Sequence, residues 1–465
     1  MELIIKNGNI VTSQETKQAD IYIKNGKISA IASDLSLVTG VERNIPEIDA
    51  TGKFVLPGGV DVHTHLDMPF MGTYSTDDFY SGTVAAAFGG TTSIIDYIIP
   101  EKSQPLIDAI NIWHEKAKKK AVIDYGFHLA IVPPVENLLK ELPTLAEQGI
   151  TSIKCFLAYK NSLMLDDGSL FKLLQETSKN KILVCIHAEN GEVIDVLTKQ
   201  YLEEGKTDPI YHALSRPAIL EGEAVTRVLK LAKLAEAPVY FVHLSTKDAL
   251  KEIKKAQKNH QKVFAETCPQ YFLLPQNKYL EPDFNGAKYV MSPPLREPEH
   301  LEAVFKAIKR NRIDVLATDH CPFNFYKEKQ LGRQDFTKIP NGIPGIETRM
   351  PLLFSEMVVK NNISINKFVE ITCTKPAQIF GMRTKGDLKP GMDADIAIWD
   401  KDFKWTISSK DLHQNVDYTP FENYTVTGKP VSVLSRGTII IENNELKAQP
   451  GDGQFLSREK SFLGY

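Results

Sequence analysis

Gly58-Gly59-Val60-Asp61-Val62-His63-Thr64-His65 is a short β-branched run that delivers two imidazoles at its end, and the same grammar recurs down the chain. Thr151-Ser152-Ile153-Lys154-Cys155-Phe156 carries an amine inside an apolar run. Ile182-Leu183-Val184-Cys185-Ile186-His187 and Val239-Tyr240-Phe241-Val242-His243 each end on a histidine, and Asp314-Val315-Leu316-Ala317-Thr318-Asp319 ends on a carboxylate. Near-continuous apolar strands suit a parallel sheet covered on both faces, and the segments between them have the length and charge pattern of helices. The expected fold is α/β, a (β/α)8 TIM-like barrel, in which side chains at the C-terminal ends of different strands converge on one mouth although they lie far apart in sequence. His63, His65, Lys154, His187, His243 and Asp319 are thereby candidates for a single centre.

The rest of the chain fits around that barrel. Its 465 residues exceed one ordinary domain and allow a barrel of roughly 250 to 350 residues plus an accessory unit. Residues 1–53 read as all-β, with Asn7-Gly8 and Asn25-Gly26 as tight-turn signals, but hold too few strands for a core of their own. Matching strands recur after residue 383, in Ala394-Asp395-Ile396-Ala397-Ile398-Trp399 and Val431-Ser432-Val433-Leu434. The expected organisation is a discontinuous β-sandwich domain (1–53 and 383–440) with the barrel (54–382) inserted, the first barrel strand beginning near Phe54. A tail (441–465) with Phe455, Leu456, Phe462 and Leu463 suits an inter-subunit contact or a frayed end equally.

Composition excludes several classes. With a net charge of −3, 42% hydrophobic and 24% charged residues, the chain lacks the basic excess of a nucleic-acid binder. No apolar run approaches the roughly 20 residues that span a bilayer, so no membrane partner is expected. Five scattered cysteines without a CxxC pair read as reduced core thiols, which points to the cytoplasm.

Residues two apart on a strand point the same way, so His63 and His65 can grip one ion. Lys154 is the most diagnostic residue, because a buried ammonium costs several kcal/mol unless paired or modified. Pairing with Asp96 or Glu266 would be the plain solution. The sharper one is a carbamate (N6-carboxylysine), formed with carbon dioxide, which turns the cation into a bidentate ligand able to bridge two metals. His63, His65 and Asp319 would then serve one ion and His187 and His243 the other. Such a set suits two zinc ions per subunit, with manganese or cobalt able to substitute.

Asp61-Val62-His63-Thr64-His65, Ser152-Ile153-Lys154, Ile186-His187-Ala188-Glu189, Val242-His243-Leu244-Ser245 and Ala317-Thr318-Asp319-His320 match, in order, the cyclic amidohydrolases, and the chain resembles the dihydropyrimidinase and hydantoinase family over nearly its whole length. The resemblance implies a binuclear zinc site with carbamylated Lys154, a homotetramer, and a small-molecule cyclic amide substrate opened to an N-carbamoyl amino acid. It implies that Tyr159 donates to the oxyanion, that Asp319 carries the proton, and that Ser292 and Asn341 lie in stretches whose backbone holds the ring's imide. Leu66, Phe70, Phe156 and Leu163 are candidates for the pocket that receives a ring substituent. Related allantoinases and dihydroorotases carry an arginine where Asp67 stands, which disfavours both activities. Non-enzymatic scaffold relatives lack much of the ligand set, whereas all six residues stand here together with Tyr159.

Overall fold

The computed structural model describes residues 2–35, 38, 44–461 and 463; Phe462 of the tail lies outside them. The chain opens with β1 (Glu2–Val11), β2 (Thr16–Lys24), β3 (Lys27–Ala32), β4 (Glu47–Asp49) and β5 (Phe54–Pro57). Next come β6 (Gly59–Thr64), the hairpin β7 (Pro69–Phe70) and β8 (Thr73–Tyr74), and seven further strands each reached through helical connections or loops. These are β9 (Thr91–Ile98), β10 (Asp124–Ala130), β11 (Ser152–Phe156), β12 (Leu183–His187), β13 (Val239–Phe241), β14 (Val263–Thr267) and β15 (Val315–Leu316). The chain ends in β16 (Ile396–Thr406), β17 (Thr425–Ser435), β18 (Thr438–Glu442) and β19 (Glu445–Leu446).

β6 and β9 to β15 form one eight-stranded parallel sheet in sequence order, the expected barrel. Every residue of β6, β9, β10, β11 and β12 is buried, which is why these runs lack the alternation of a half-exposed strand. The seam between β6 and β15 is closed by side chains and loop backbone. Arg349, wholly buried, donates from one nitrogen to Val60 O at 2.9 Å and Leu316 O at 3.0 Å, one on each side of the seam. Thr318 donates to Asp61 Oδ2 at 2.7 Å, and the His65 amide donates to His320 O at 2.9 Å. The two strand ends bearing His63, His65 and Asp319 are thus locked in register.

Strands from both chain ends build a single nine-stranded sheet, β19-β18-β17-β16-β5-β1-β2-β3 with β4 beside β1. One boundary moves. Phe54–Pro57 is not the first barrel strand, because Val55 pairs with Ile10 and Ile398 inside this sheet, and the barrel begins at Gly59. The sheet likewise runs on past residue 440 to Leu446. Lys385, 1% exposed, ties it to the barrel by pairing with Asp395 at 2.7 Å and with Asp124, the first residue of β10, at 2.6 Å. The tail docks on its own barrel at the same end: Leu456 N–H donates to Tyr125 O at 2.7 Å, and buried Arg458 reaches Ser152 Oγ at 2.9 Å and Phe127 O. Both attachments sit at the N-terminal ends of the strands and leave the opposite mouth for chemistry.

Candidate active site

The six expected residues meet at the C-terminal mouth. His63 lies inside β6 and His65 just past it, Lys154 inside β11, His187 at the end of β12, His243 two residues beyond β13 and Asp319 three beyond β15. His63 Nε2 and His65 Nε2 approach Asp319 Oδ1 at 3.1 and 3.2 Å, and the three donor atoms lie within 4.8 Å of one another. His243 stands beside His63 with ring centroids 5.4 Å apart and beside His187 at 4.6 Å. Lys154 Nζ is 3.4 Å from His63 Nε2 and 4.7 Å from the Tyr97 ring centroid. Among the described residues no carboxylate lies in ion-pair reach of it, so pairing with Asp96 or Glu266 is not how its burial is met.

Charge states follow from burial. It drives the His65 imidazole down to about 4 and His243 well below the ordinary value, leaving neutral rings with a lone pair to give. Burial also lowers the Lys154 amine. Burial alone would raise Asp319, but the His63, His65 and His243 imidazoles hold it well below the usual carboxylate range. Three of these groups sit on left-handed backbone, Tyr159 at φ 64°, His243 at φ 39° and Asp319 at φ 55°. Such conformations cost of order 1–3 kcal/mol each in non-glycine residues and persist where the surroundings over-determine them.

The donors fit divalent cations on two further observations. His63 Nδ1 is hydrogen-bonded to Glu266 Oε1 at 2.7 Å and His187 Nε2 to Glu189 Oε2 at 2.7 Å, the carboxylate-to-imidazole support that orients metal ligands. His243 Nδ1 is buried without a hydrogen-bond partner. Glu266 also accepts the His243 amide at 3.0 Å and the Tyr240 hydroxyl at 2.8 Å, so one carboxylate sets two of the candidate ligands. Its signal in the sequence was an acidic residue inside the apolar run Val263-Phe264-Ala265-Glu266-Thr267.

A pocket opens over this cluster, lined by His65, Lys154, His187, His243 and Asp319 together with Phe70, Phe156, Tyr159, Leu163, Ser292 and Asn341. Met68, Ile99, Cys321 and Gly342 complete the wall and had no signal beyond their neighbours. His63 does not line the pocket, although its Nε2 lies 3.1 Å from Asp319 Oδ1. Leu66 does not reach the pocket: following His65, its side chain turns the other way into the core, where a Cβ on Gly82 would meet it at 2.3 Å. Asp67 also faces away, lining a surface groove with Lys116.

Burial pushes the Tyr159 phenol up to about 12, opposed by the hydrogen-bonding side chain of Ser292, so it remains a donor at neutral pH. Asn341 Nδ2 donates to Ser292 Oγ at 3.2 Å. Among the described residues the backbone N–H groups of Ser292 and Asn341 donate to no protein acceptor and their C=O groups accept from no protein donor. Gly342 is required beside them for packing, since its φ is 148° and a Cβ would strike Cys321 O at 2.2 Å. The close approach its small size permits is thus to the Asp319 strand end.

A model described as the amidohydrolase family matches residues 54–440. The chain belongs to the amidohydrolase family. This amidohydrolase is 50% identical over 462 residues to the D-hydantoinase of Geobacillus stearothermophilus, across 99% of this chain and 97% of that protein. It is 43% identical to the D-hydantoinase of Streptomyces coelicolor, across 98% of this chain and 97% of that one. The crystal structure of dihydropyrimidinase from Brevibacillus agri superposes with a TM-score of 0.97 at 50% identity, covering 99% of each chain.

Proposed function

We propose that this amidohydrolase is a dihydropyrimidinase or hydantoinase, hydrolysing the cyclic amide bond of a dihydropyrimidine or 5-substituted hydantoin to an N-carbamoyl amino acid. The observation that carries it is one pocket lined both by the candidate metal-ligating cluster, its floor, and by Ser292 and Asn341, whose backbone N–H and C=O groups have no protein partner among the described residues. A ring with alternating carbonyls and N–H groups presents the complementary edge. Among the described residues no arginine lines the pocket over the cluster, and Arg216 lines only the adjoining outer cleft, which disfavours an acidic ring such as dihydroorotate at the floor. Retention of every candidate ligand disfavours a scaffold without chemistry.

His63, His65 and Asp319 would hold one cation, His187 and His243 a second, and a Lys154 carbamate would bridge them. Zinc suits these nitrogen and oxygen donors, as do manganese and cobalt. When bound, two such ions polarise a carbonyl and bring the pKa of a shared water from about 15.7 toward roughly 7. Ser292 and Asn341 hold the ring by their backbone so that its reacting carbonyl faces the floor. Tyr159 donates its hydroxyl to the oxyanion as water oxygen bonds to that carbon. Asp319 Oδ2, the oxygen not taken up by the two imidazoles, accepts the water proton and returns it to the ring nitrogen as the C–N bond breaks. Phe70, Phe156 and Leu163 shield the site and receive the ring substituent.

Initial rates on dihydrouracil, hydantoin, phenylhydantoin, allantoin and dihydroorotate test this, with metal content measured on the same protein. The first three should be opened and the last two left intact. Opening of none of the first three by protein carrying two metals would refute it. A mass gain of one carbon dioxide on the peptide bearing Lys154 tests the carbamate. The proposed assembly is a homotetramer, checked by light scattering. The proposed compartment is the cytoplasm, in keeping with five free buried cysteines and with no described helix long and apolar enough to cross a membrane.

A further inference from the structure

Lys329 sits wholly buried in the short helical turn Glu328–Gly332, with no carboxylate in ion-pair reach among the described residues. An ammonium so placed is costly unless its protons are all used. They are: Nζ donates to Val290 O at 2.8 Å, Pro340 O at 2.7 Å and Gly342 O at 2.7 Å. Those carbonyls belong to two separate loops. Val290 leads into Ser292, while Pro340 and Gly342 flank Asn341 on either side. The Gly342 amide adds a direct strut to Val290 O at 3.0 Å.

The rest of the Ser292 loop is held just as tightly. His212 Nε2 bonds Met291 O at 2.8 Å, and the Tyr271 hydroxyl donates to Pro293 O at 2.9 Å. In each loop the carbonyls on both sides of one pocket-lining residue are fixed, and that residue's own backbone groups have no protein partner among the described residues. The lysine is the group common to both loops.

On the cyclic-amide reading above, we propose that Lys329 is a positioning residue that sets the spacing of the Ser292 and Asn341 loops, so that their free backbone edges engage one planar ring together. Lys329 does not line the pocket and touches no reacting atom. It acts through the loops that hold the ring, and not on the metal-ligating side chains or on Tyr159. Its removal should therefore weaken ring binding more than it slows the chemistry, the pattern of an interaction equal in ground and transition states.

Lys329→Met keeps the stem and deletes the three donors; Lys329→Gln keeps two N–H groups without the charge. In Lys329→Met, KM for whichever ring the wild type opens should rise about tenfold or more while kcat changes less, because charge-assisted hydrogen bonds to two binding loops are lost. Lys329→Gln should fall between it and wild type, and both should keep the wild-type metal content. Hydrogen exchange gives a readout that needs no substrate: the amides of 290–292, 339 and 341–343 should exchange faster in Lys329→Met, with the barrel strands unchanged. KM within twofold of wild type, loss of metal, or exchange raised evenly across the barrel would each overturn the proposal, as would failure of both variants to fold. If the wild type opens no cyclic amide, the functional reading fails, and loop exchange still decides whether Lys329 sets the spacing.

Discussion

The floor of the pocket and the wall carrying Ser292 and Asn341 are built on different principles. The floor consists of side chains of a few chemical types on or just past parallel strands, three of them steadied from behind: Glu266 on His63, Glu189 on His187, and the Asp61–Thr318 contact beside Asp319. The wall carrying Ser292 and Asn341 consists of loops whose working groups are main-chain amides, positioned by three carbonyl contacts to a lysine behind them. Reaction chemistry demands particular donors, so the floor tolerates few residue types. Ring recognition through backbone demands only a loop path. The two halves should accordingly fail in different ways when damaged, the floor through metal and turnover, the wall through affinity and choice of substrate.

The largest effect should come from the floor. Lys154→Ala removes the proposed bridge between the two ions and is expected to lose both metals and all measurable turnover. Metal analysis and rates with added zinc and bicarbonate check this. A variant that keeps two tightly held ions and full activity would break the contrast at its root. Tyr159→Phe comes next: removing one oxyanion donor should lower kcat by about 10²- to 10³-fold with metal content intact. An unchanged rate would move Tyr159 from chemistry to the packing of the rim, where its ring already lies 5.8 Å from Phe70 and 5.9 Å from Phe156.

Glu266→Gln sharpens the comparison from behind the floor. The amide keeps the shape but replaces the charged acceptor between His63 Nδ1, the His243 amide and the Tyr240 hydroxyl. Loss of such support typically costs about 10- to 100-fold in metal affinity. Competition with a chelator should show that loss, and saturating metal should recover most of the turnover. Equal metal affinity in the variant would mean that the strand ends alone orient the imidazoles.

The same division decides what could be read from the sequence. His63, His65, His187, His243 and Asp319 stand out because a polar residue ending an apolar run has few structural reasons to be there, and Lys154 because a charge inside such a run has fewer still. The order of those runs also carries the barrel. Leu66 was misplaced because an apolar residue beside a ligand has no written direction; only the turn after β6 decides that it enters the core. Phe54–Pro57 was assigned to the wrong sheet because a buried strand reads alike in either. Lys329 was invisible, since Lys327-Glu328-Lys329-Gln330 looks like a solvated turn and only the tertiary path places three carbonyls around it. Glu266 lies between these extremes: a carboxylate inside an apolar run suits a partner for Lys154, whereas in the structure it holds His63 and His243.

The smallest expected effect tests the wall's apolar part. Leu163 is nearly buried in a small cluster with Phe156, Ala130 and Val132, and it reaches the pocket only through its outer face. If that face meets the ring substituent, Leu163→Ala should lower kcat/KM for phenylhydantoin by up to about tenfold while leaving the unsubstituted hydantoin near its wild-type value, the scale on which an apolar pocket discriminates by a carbon or two. Because Leu163 carries no ligand atom and makes no hydrogen bond to the imidazoles, metal content should not move. The ratio of the two substrates cancels any general loss of active protein, which makes it the informative quantity. A ratio equal to wild type would assign Leu163 to the core and leave Phe70 and Phe156 to bound the substituent.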